Sequence, residues 1–403
     1  MWVWDADPLF SDTGRREFLE FCVQQGIATA WIQVGALPGA RLRQAADWQR
    51  LLAEAHRVGI AIHALDGAPE FVLPHRHADV MNLVEAVIAF NREAPADARF
   101  AGIHLDNEPY LLPGWHEPAA RERLLGQFLD LNARIRDAVT RAGRMEFGVD
   151  IPFWWQARDA ETGEAIGAVT FRGQRKAASY HLLDLVDNVG IMDYRNVAEG
   201  RDGLIAHARD LLLYADGARA RIFVGVEISR SEDAPYWFVT GVPRRTFRRA
   251  VGRSALLDAR DLTIIDDGEQ VLVGVRATGE ASDEARLVAL ARLLSATVLN
   301  ASGRRALDSA RAVLANEGEW KMLSPAPVID HDGRAYGGLR TSRVMLAKLT
   351  FAGRSGTDMA RELAIAEAAF RQYKSYVGIA VHHYESFKAR FETAPSDQRD
   401  SNR

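Results

Sequence analysis

The stretch GIHLDNEPY, residues 102–110, decides the fold. Its first half is an apolar run of strand type. Its second half sets Asp106, Asn107 and Glu108 directly behind that run, and Pro109 follows at once. The pattern of an apolar run closed by polar groups recurs along the chain. WVWDAD (2–7), ATAWIQVG (28–35), GIAIHALDG (59–67), MEFGVDIPFWW (145–155), VDNVGIMDYR (186–195), RIFVGVEIS (221–229) and YVGIAVHHYESF (376–387) all read this way. Each is near-continuously apolar rather than alternating, as parallel strands buried on both faces are.

Helical periods lie between these runs. TGRREFLEFCVQQG (13–26) and DWQRLLAEAHRVG (47–59) both end at a glycine, a natural helix stop. ARERLLGQFLDLNARIRDAVTRAG (120–143) is a long amphipathic helix. Eight β-then-α units of this kind predict an α/β fold, the (β/α)8 TIM barrel, whose active sites sit at the C-terminal ends of the strands. The competing fold is a doubly wound open sheet. No glycine-rich phosphate loop follows any of the strands, which favours the barrel.

The spacing breaks once. Strand seven ends near 229 and strand eight begins near 376, with one crossover helix, DMARELAIAEAAFRQY (358–373), between them. SGTD (355–358) caps that helix. The surplus has its own hairpin signal, LTIIDDGEQVLVGVRA (262–277), turning at Asp-Gly, and its own helix, EARLVALARLLSATVLN (284–300). The expected organisation is a catalytic barrel over 1–230 and 346–390, an inserted α+β subdomain over 231–345, and a disordered tail over 391–403. The insertion is expected on the catalytic face, as one wall of the cleft.

Composition excludes some functions. The chain has 403 residues, 48% hydrophobic and 26% charged, with 50 basic and 54 acidic side chains for a net charge of -4. No global positive field draws nucleic acid or an anionic membrane. No run reaches the length of a membrane span, and MWVWDADPLF opens straight into a strand rather than a signal peptide. The single cysteine, Cys22, allows no internal disulfide and fits a reducing compartment. The expectation is a soluble cytoplasmic protein with no cofactor.

In a barrel the strand ends are read together. They bear Asp5 and Asp7, Gln33, His63 and Asp66, then His104, Asp106 and Glu108, then Asp150, Asp193, Tyr194 and Arg195, then Glu227, and last His382, His383, Tyr384 and Glu385. Trp2, Trp4, Trp31, Tyr110, Phe153, Trp154 and Trp155 accompany them. Rings that stack on sugar C–H faces, among carboxylates that bind hydroxyls, suit a carbohydrate. Asp106 and Glu108 stand two apart, so on a strand they share a face. Like charges placed close together raise one pKa, and a carboxylic acid kept protonated can donate to a leaving oxygen. Glycosidic cleavage needs that acid and usually a second carboxylate, roughly 5 Å away for retention or roughly 6.5–9.5 Å for inversion.

The motifs resemble those of TIM-barrel glycoside hydrolases in two groups. LDNEP resembles the Asn-Glu-Pro of clan A enzymes, whose Glu is the acid/base; VGVEIS then offers Glu227 in the place of their strand-seven nucleophile. GIHLDNE equally resembles the Asp-x-Asp-x-Glu strand of family 18 chitinases, with Asp106 and Glu108 in its last two places. IMDYR resembles the chitinase Met-x-Tyr-Asp, with Tyr194 matching the Tyr that helps hold the substrate's acetamido group. His104 stands where the first chitinase Asp would be, and Arg195 where the last would be. Both resemblances imply Glu108 as proton donor. The clan A likeness implies Glu227 as nucleophile; the family 18 likeness implies attack by the substrate's own acetamido oxygen.

The expected function is hydrolysis of an oligo- or polysaccharide with retention. Glu108, Asp106 and Glu227 are the catalytic candidates. Asp5, Asp150, Trp154, Tyr194, Arg195, His383 and Tyr384 are the substrate-binding candidates. Trp154 and Trp155 adjoin, so on a strand only one can face the pocket, and the same holds for His382 and His383. No HExxH or Cys-His spacing exists, and no metal is expected. Two alternatives stay open: a non-catalytic carbohydrate-binding barrel, and a metal-dependent hydrolase using Asp5, His63, His104 and Asp106. Arg244, Arg245, Arg248 and Arg249 read as a solvated basic face or as contacts to an acidic sugar or partner.

Overall fold

The structure is a computed structural model. It describes residues 1–392 apart from 144, 160–161, 230–233, 240, 252, 259–261, 267–268, 280–281, 296–300, 318, 324–327, 332 and 344–345. The chain divides into two compact units. One comprises Met1–Asn107, Leu125–Arg230 and Ala347–Arg403; the other comprises Glu108–Leu124 and Ser231–Leu346. The short segment 108–124 thus belongs with the second unit.

The first unit is built on eight parallel strands: β1 (Trp2–Val3), β2 (Thr29–Gln33), β3 (Ala61–Asp66), β4 (Gly102–Leu105), β5 (Glu146–Pro152), β6 (Asn188–Met192), β7 (Arg221–Glu227) and β8 (Tyr376–His382). They pair in chain order from β1 to β8. The ends of the row meet: Trp2 packs in one cluster with Ala380, and the Trp4 indole donates to His382 Nε2 at 3.0 Å. The sheet therefore curls into the expected TIM barrel. Helices α1 (Asp12–Gln24), α2 (Ala45–Arg57), α3 (His77–Glu93), α4 (Pro118–Ala142), α5 (Ala178–Leu185), α6 (Leu204–Ala215), α7 (Gly356–Phe370) and α8 (Tyr384–Glu392) follow the strands in turn.

Local chemistry sets the boundaries. The Ser11 hydroxyl caps α1 by accepting from Gly14 N at 3.0 Å, and Ser355 caps α7 by accepting from Asp358 N. Each serine satisfies an amide that the first helical turn leaves unpaired. Strand alternation sends Val149, Ile151, Val189, Ile191, Val224 and Val226 outward beneath the helices, where all are fully buried. Each such aliphatic side chain contributes about 1.5–3 kcal/mol on burial.

The inner wall mixes very large and very small residues. Trp2 and Trp31 lie 4.7 Å apart by ring centroid, and Phe223 stands edge-on to Trp31. Glycines opposite make the room. A Cβ on Gly190 would sit 2.0 Å from Asp150 Oδ1, and one on Gly148 would sit 1.9 Å from Asn188 Oδ1. The apolar VDNVG and EFGVD runs thus carry glycine where side chains cross the barrel.

The second unit is an antiparallel sheet with helices. Ala234–Val239 lies between Gln270–Arg276 and Arg334–Arg343, with Val242–Pro243 and Trp320–Met322 at the two ends of the row. Leu262–Asp266 pairs with Gln270–Arg276 as a hairpin; its Asp-Gly turn, 267–268, lies outside the described residues. Alternation splits the core between the two faces. Val271, Val273 and Val275 pack with Phe247, Leu287 and Leu290, whereas Phe238 and Leu272 pack with Leu314 and Trp320. The helix expected over 284–300 runs Ser282–Leu293, and 296–300 lie outside the described residues. The tail expected from 391 begins as the end of α8, through Glu392; residues 393–403 lie outside the described residues.

Candidate active site

Two histidine–carboxylate pairs face the inside of the barrel. The deeper one joins β4 to β5. His104 Nε2 bonds Asp150 Oδ1 at 2.8 Å, and Trp2 donates its indole N–H to Asp150 Oδ2 at 2.8 Å. His104 Nδ1 faces Asn188 Oδ1 at 3.2 Å, and Asn188 in turn donates its amide to Glu146 Oε2. That second bond fixes which end of the amide meets the imidazole. Both ring nitrogens of His104 therefore face oxygen acceptors, and neither the His104 nor the Asp150 side chain reaches solvent.

The second pair stands at the C-terminal rim, where β7 and β8 end. Glu227 Oε2 bonds His382 Nδ1 at 2.7 Å. Glu227 Oε1 accepts from the amides of Ile228 and Ser229 at 2.8 and 2.7 Å and from the Ser229 hydroxyl at 2.6 Å. Burial pushes this carboxyl's pKa up, but the bonds from His382 and Ser229 outweigh it, so the net shift is downward. Glu227 is thus a buried group held ionised. On the far side of His382, the Trp4 N–H can only donate, so His382 Nε2 accepts and Nδ1 carries the proton. Trp4, His382 and Glu227 form a one-way chain of hydrogen bonds.

The other candidate residues are placed as follows. Asp106 is half-buried just past β4, and its amide donates to Asp66 O at 3.0 Å. Gly67 lies flush against it, since a Cβ there would be 2.1 Å from Asp106 O. By alternation from His104, Asp106 continues the inward face of β4. Tyr194 is half-buried at the same rim, its ring 5.8 Å from that of His382. Glu108 is half-buried in the second unit, where its carbonyl accepts from Leu111 N as a short 3-10 turn begins.

Others are engaged elsewhere. Asp150 belongs to the inner pair. Asp5 is exposed and accepts from Asp7 N at 3.1 Å. The Arg195 guanidinium lies over the Phe153 ring, pairs with Asp202 at 2.8 Å and donates to the Tyr194 carbonyl. His383 bonds Glu385 and Ser386 on α8. Tyr384 turns outward to pack on Phe18 and Phe21 of α1. Of the two tryptophans, Trp155 is fully buried against Phe128 and Trp154 is half-buried. Both lie in the turn after β5, not on the strand.

A further pair lies just past β6. Asp193 is fully buried and bonds His207 Nδ1 of α6 at 2.9 Å; His207 stacks on Phe153 at 4.0 Å. Burial raises the Asp193 pKa to about 6, against the lowering effect of His207.

Trp4 and His382 are the functional candidates that the sequence reading passes over in favour of His383. The signal was present: Ala380 packs inside the barrel, so alternation sends His382 inward too. The residues of the metal alternative do not assemble. His63 sits near the start of β3 with burial holding its pKa down to about 3, two positions deeper than His104 by strand register. Among the described residues, no group of three or more His, Cys, Asp or Glu is placed to hold a metal ion. Among them too, no helix is long and apolar enough to cross a membrane.

No protein-family model matches the chain, and neither does any curated protein. Solved structures do. The chain is similar to the GH18 chitinase from Cycas revoluta in complex with (GlcNAc)3, at 10% identity and a TM-score of 0.41, covering 96% of this chain and 95% of that one. It is also similar to the spore cortex-lytic enzyme SleL from Bacillus megaterium QM B1551, at 10% identity and a TM-score of 0.39, covering 94% and 69%. At these identities the likeness is one of fold.

Proposed function

We propose that the protein is a glycoside hydrolase that cleaves an oligo- or polysaccharide with retention of configuration. The observation that carries this reading is Glu227: a buried carboxylate, held ionised, at the rim where this fold keeps its active sites. Asp106 ends another inward strand face at the same rim, and Glu108 follows it by two residues in the chain.

Glu108 donates its proton to the leaving oxygen as the glycosidic C–O bond breaks, and Asp106 orients it and tunes its pKa. The attacking group is either Glu227 or an acetamido oxygen of the substrate. Glu227 accepts three hydrogen bonds on Oε1 and one, from His382, on Oε2, so Oε2 is the oxygen that would attack in the first case. In the second case Glu227 stays unreacted and the acetamido oxygen forms the bond to the anomeric carbon. Glu227 then supplies fixed negative charge beside the cationic transition state. Water completes the cycle by opening the intermediate. Tyr194, Trp4 and Trp154 offer rings for the sugar faces.

The test is turnover of a panel of aryl glycosides and polysaccharide fragments, each with and without a 2-acetamido group. The expected result is hydrolysis of the acetamido members, unaffected by a chelator. A protein that binds members of the panel but cleaves none is a carbohydrate-binding barrel, and the hydrolase reading fails.

A further inference from the structure

Four arginines in and just after the helix Arg244–Ala250 differ in their partners. Arg244 pairs with Asp266 at 2.7 Å and Arg248 with Glu117 at 2.5 Å. Arg249 and Arg253 have no carboxylate partner among the described residues; Arg249 Nε only reaches the Arg245 carbonyl, at 3.4 Å. These two line a cleft of about 330 Å³ with Thr246, Ala250, Leu293 and Ser295. The cleft is backed by the unit's core, since Ala250 belongs to that cluster and Leu293 packs on it.

Ser295 adds a second observation. It follows the helix Ser282–Leu293 with φ of 51°, a left-handed conformation that helix ends usually give to glycine. Serine there is strained, and strain of this kind gathers at binding sites. What it gains over glycine is a hydroxyl at the edge of the cleft. The larger cleft on the barrel unit makes a contrast: its arginines, Arg134 and Arg172, share the lining with Asp130 and Asp137.

We propose that the cleft of the second unit binds an acidic sugar. Its carboxylate or phosphate would lie between the Arg249 and Arg253 guanidiniums, whose planar donor forks match such oxyanions. Its hydroxyls would meet Thr246 and Ser295, and one ring face would rest on Ala250 and Leu293. The volume stands at the lower end of the range for small-ligand sites, roughly 300–1,000 Å³, which suits a group of monosaccharide size. The proposal is independent of any hydrolytic step in the barrel.

Calorimetric titration of the full chain tests it with three probes: trigalacturonate, glucose 6-phosphate and neutral galactotriose. At least one acidic probe binds, weakens as salt rises, and binds more tightly than the neutral one; which acidic probe wins tells carboxylate from phosphate. The double variant Arg249→Gln/Arg253→Gln, altered only at exposed positions, loses at least about tenfold in affinity. Ser295→Gly relieves the backbone strain, so it raises the melting temperature while weakening binding. The proposal is overturned if no acidic probe outbinds galactotriose, or if either variant binds as the native protein does.

Discussion

Asp150 and Glu227 are both buried carboxylates on the inner wall of one barrel, and both hold a histidine. Yet they are built for different ends. Asp150 is enclosed: His104 and Trp2 close its two oxygens, glycine makes space for it, and its partner's second nitrogen is also tied. Glu227 is anchored by backbone amides at the strand end, and its histidine leads outward to Trp4 and a side-chain exposure of 21%. The first is a closed hydrogen-bonded cluster that ties four strands, β1, β4, β5 and β6. The second is itself only 4% exposed, and its one outward route runs through His382. Burial alone does not separate the two settings; the direction in which the hydrogen bonds run does.

That contrast breaks first at His104. His104→Ala leaves the buried Asp150 carboxyl short of a partner inside the barrel, which costs about 3–5 kcal/mol of stability in a denaturant titration. Next, Glu227→Gln lowers the turnover of folded protein on the order of a hundredfold while the substrate KM changes little. A smaller effect belongs to Asp193, whose folded pKa of about 6 lies above its ordinary value of 3.8. A raised pKa contributes stability that is present below 3.8 and lost as pH rises through about 6. Asp193→Asn therefore flattens the stability–pH curve between those values, by on the order of 1–3 kcal/mol. The smallest signal is spectroscopic: nitrogen-15 shifts of the neutral His382 ring should place its proton on Nδ1, and a proton on Nε2 would contradict the bond from Trp4.

Much of the barrel was legible because its strands are buried on both faces and its helices stop at glycine or start at serine, as at Ser355. The pairing of Leu262–Asp266 with Gln270–Arg276 was legible from two apolar runs at hairpin spacing. What failed to show was depth. FGVDIPFWW gives no sign that β5 continues to Pro152, two residues past Asp150, so a carboxylate read as a rim group lies inside the barrel. In VHHYESF the strand ends at His382 and α8 starts at Tyr384, and that change of period turns Tyr384 onto α1. Arg195 read as a substrate-binding group because Asp202, its partner, lies seven residues on in a segment with no strand or helix signal. The membership of 108–124 in the second unit rests on contacts such as Glu117 with Arg248, which sequence spacing cannot express.

The central claim is that carboxylates at or following the strand ends, not those inside the wall, carry the chemistry. It is tested most directly by the turnover number of Glu108→Gln on the best substrate of the panel, read beside its melting temperature. The account predicts a loss of about 10²–10⁴-fold with the melting temperature unchanged. A variant that turns over every substrate at the native rate would contradict it.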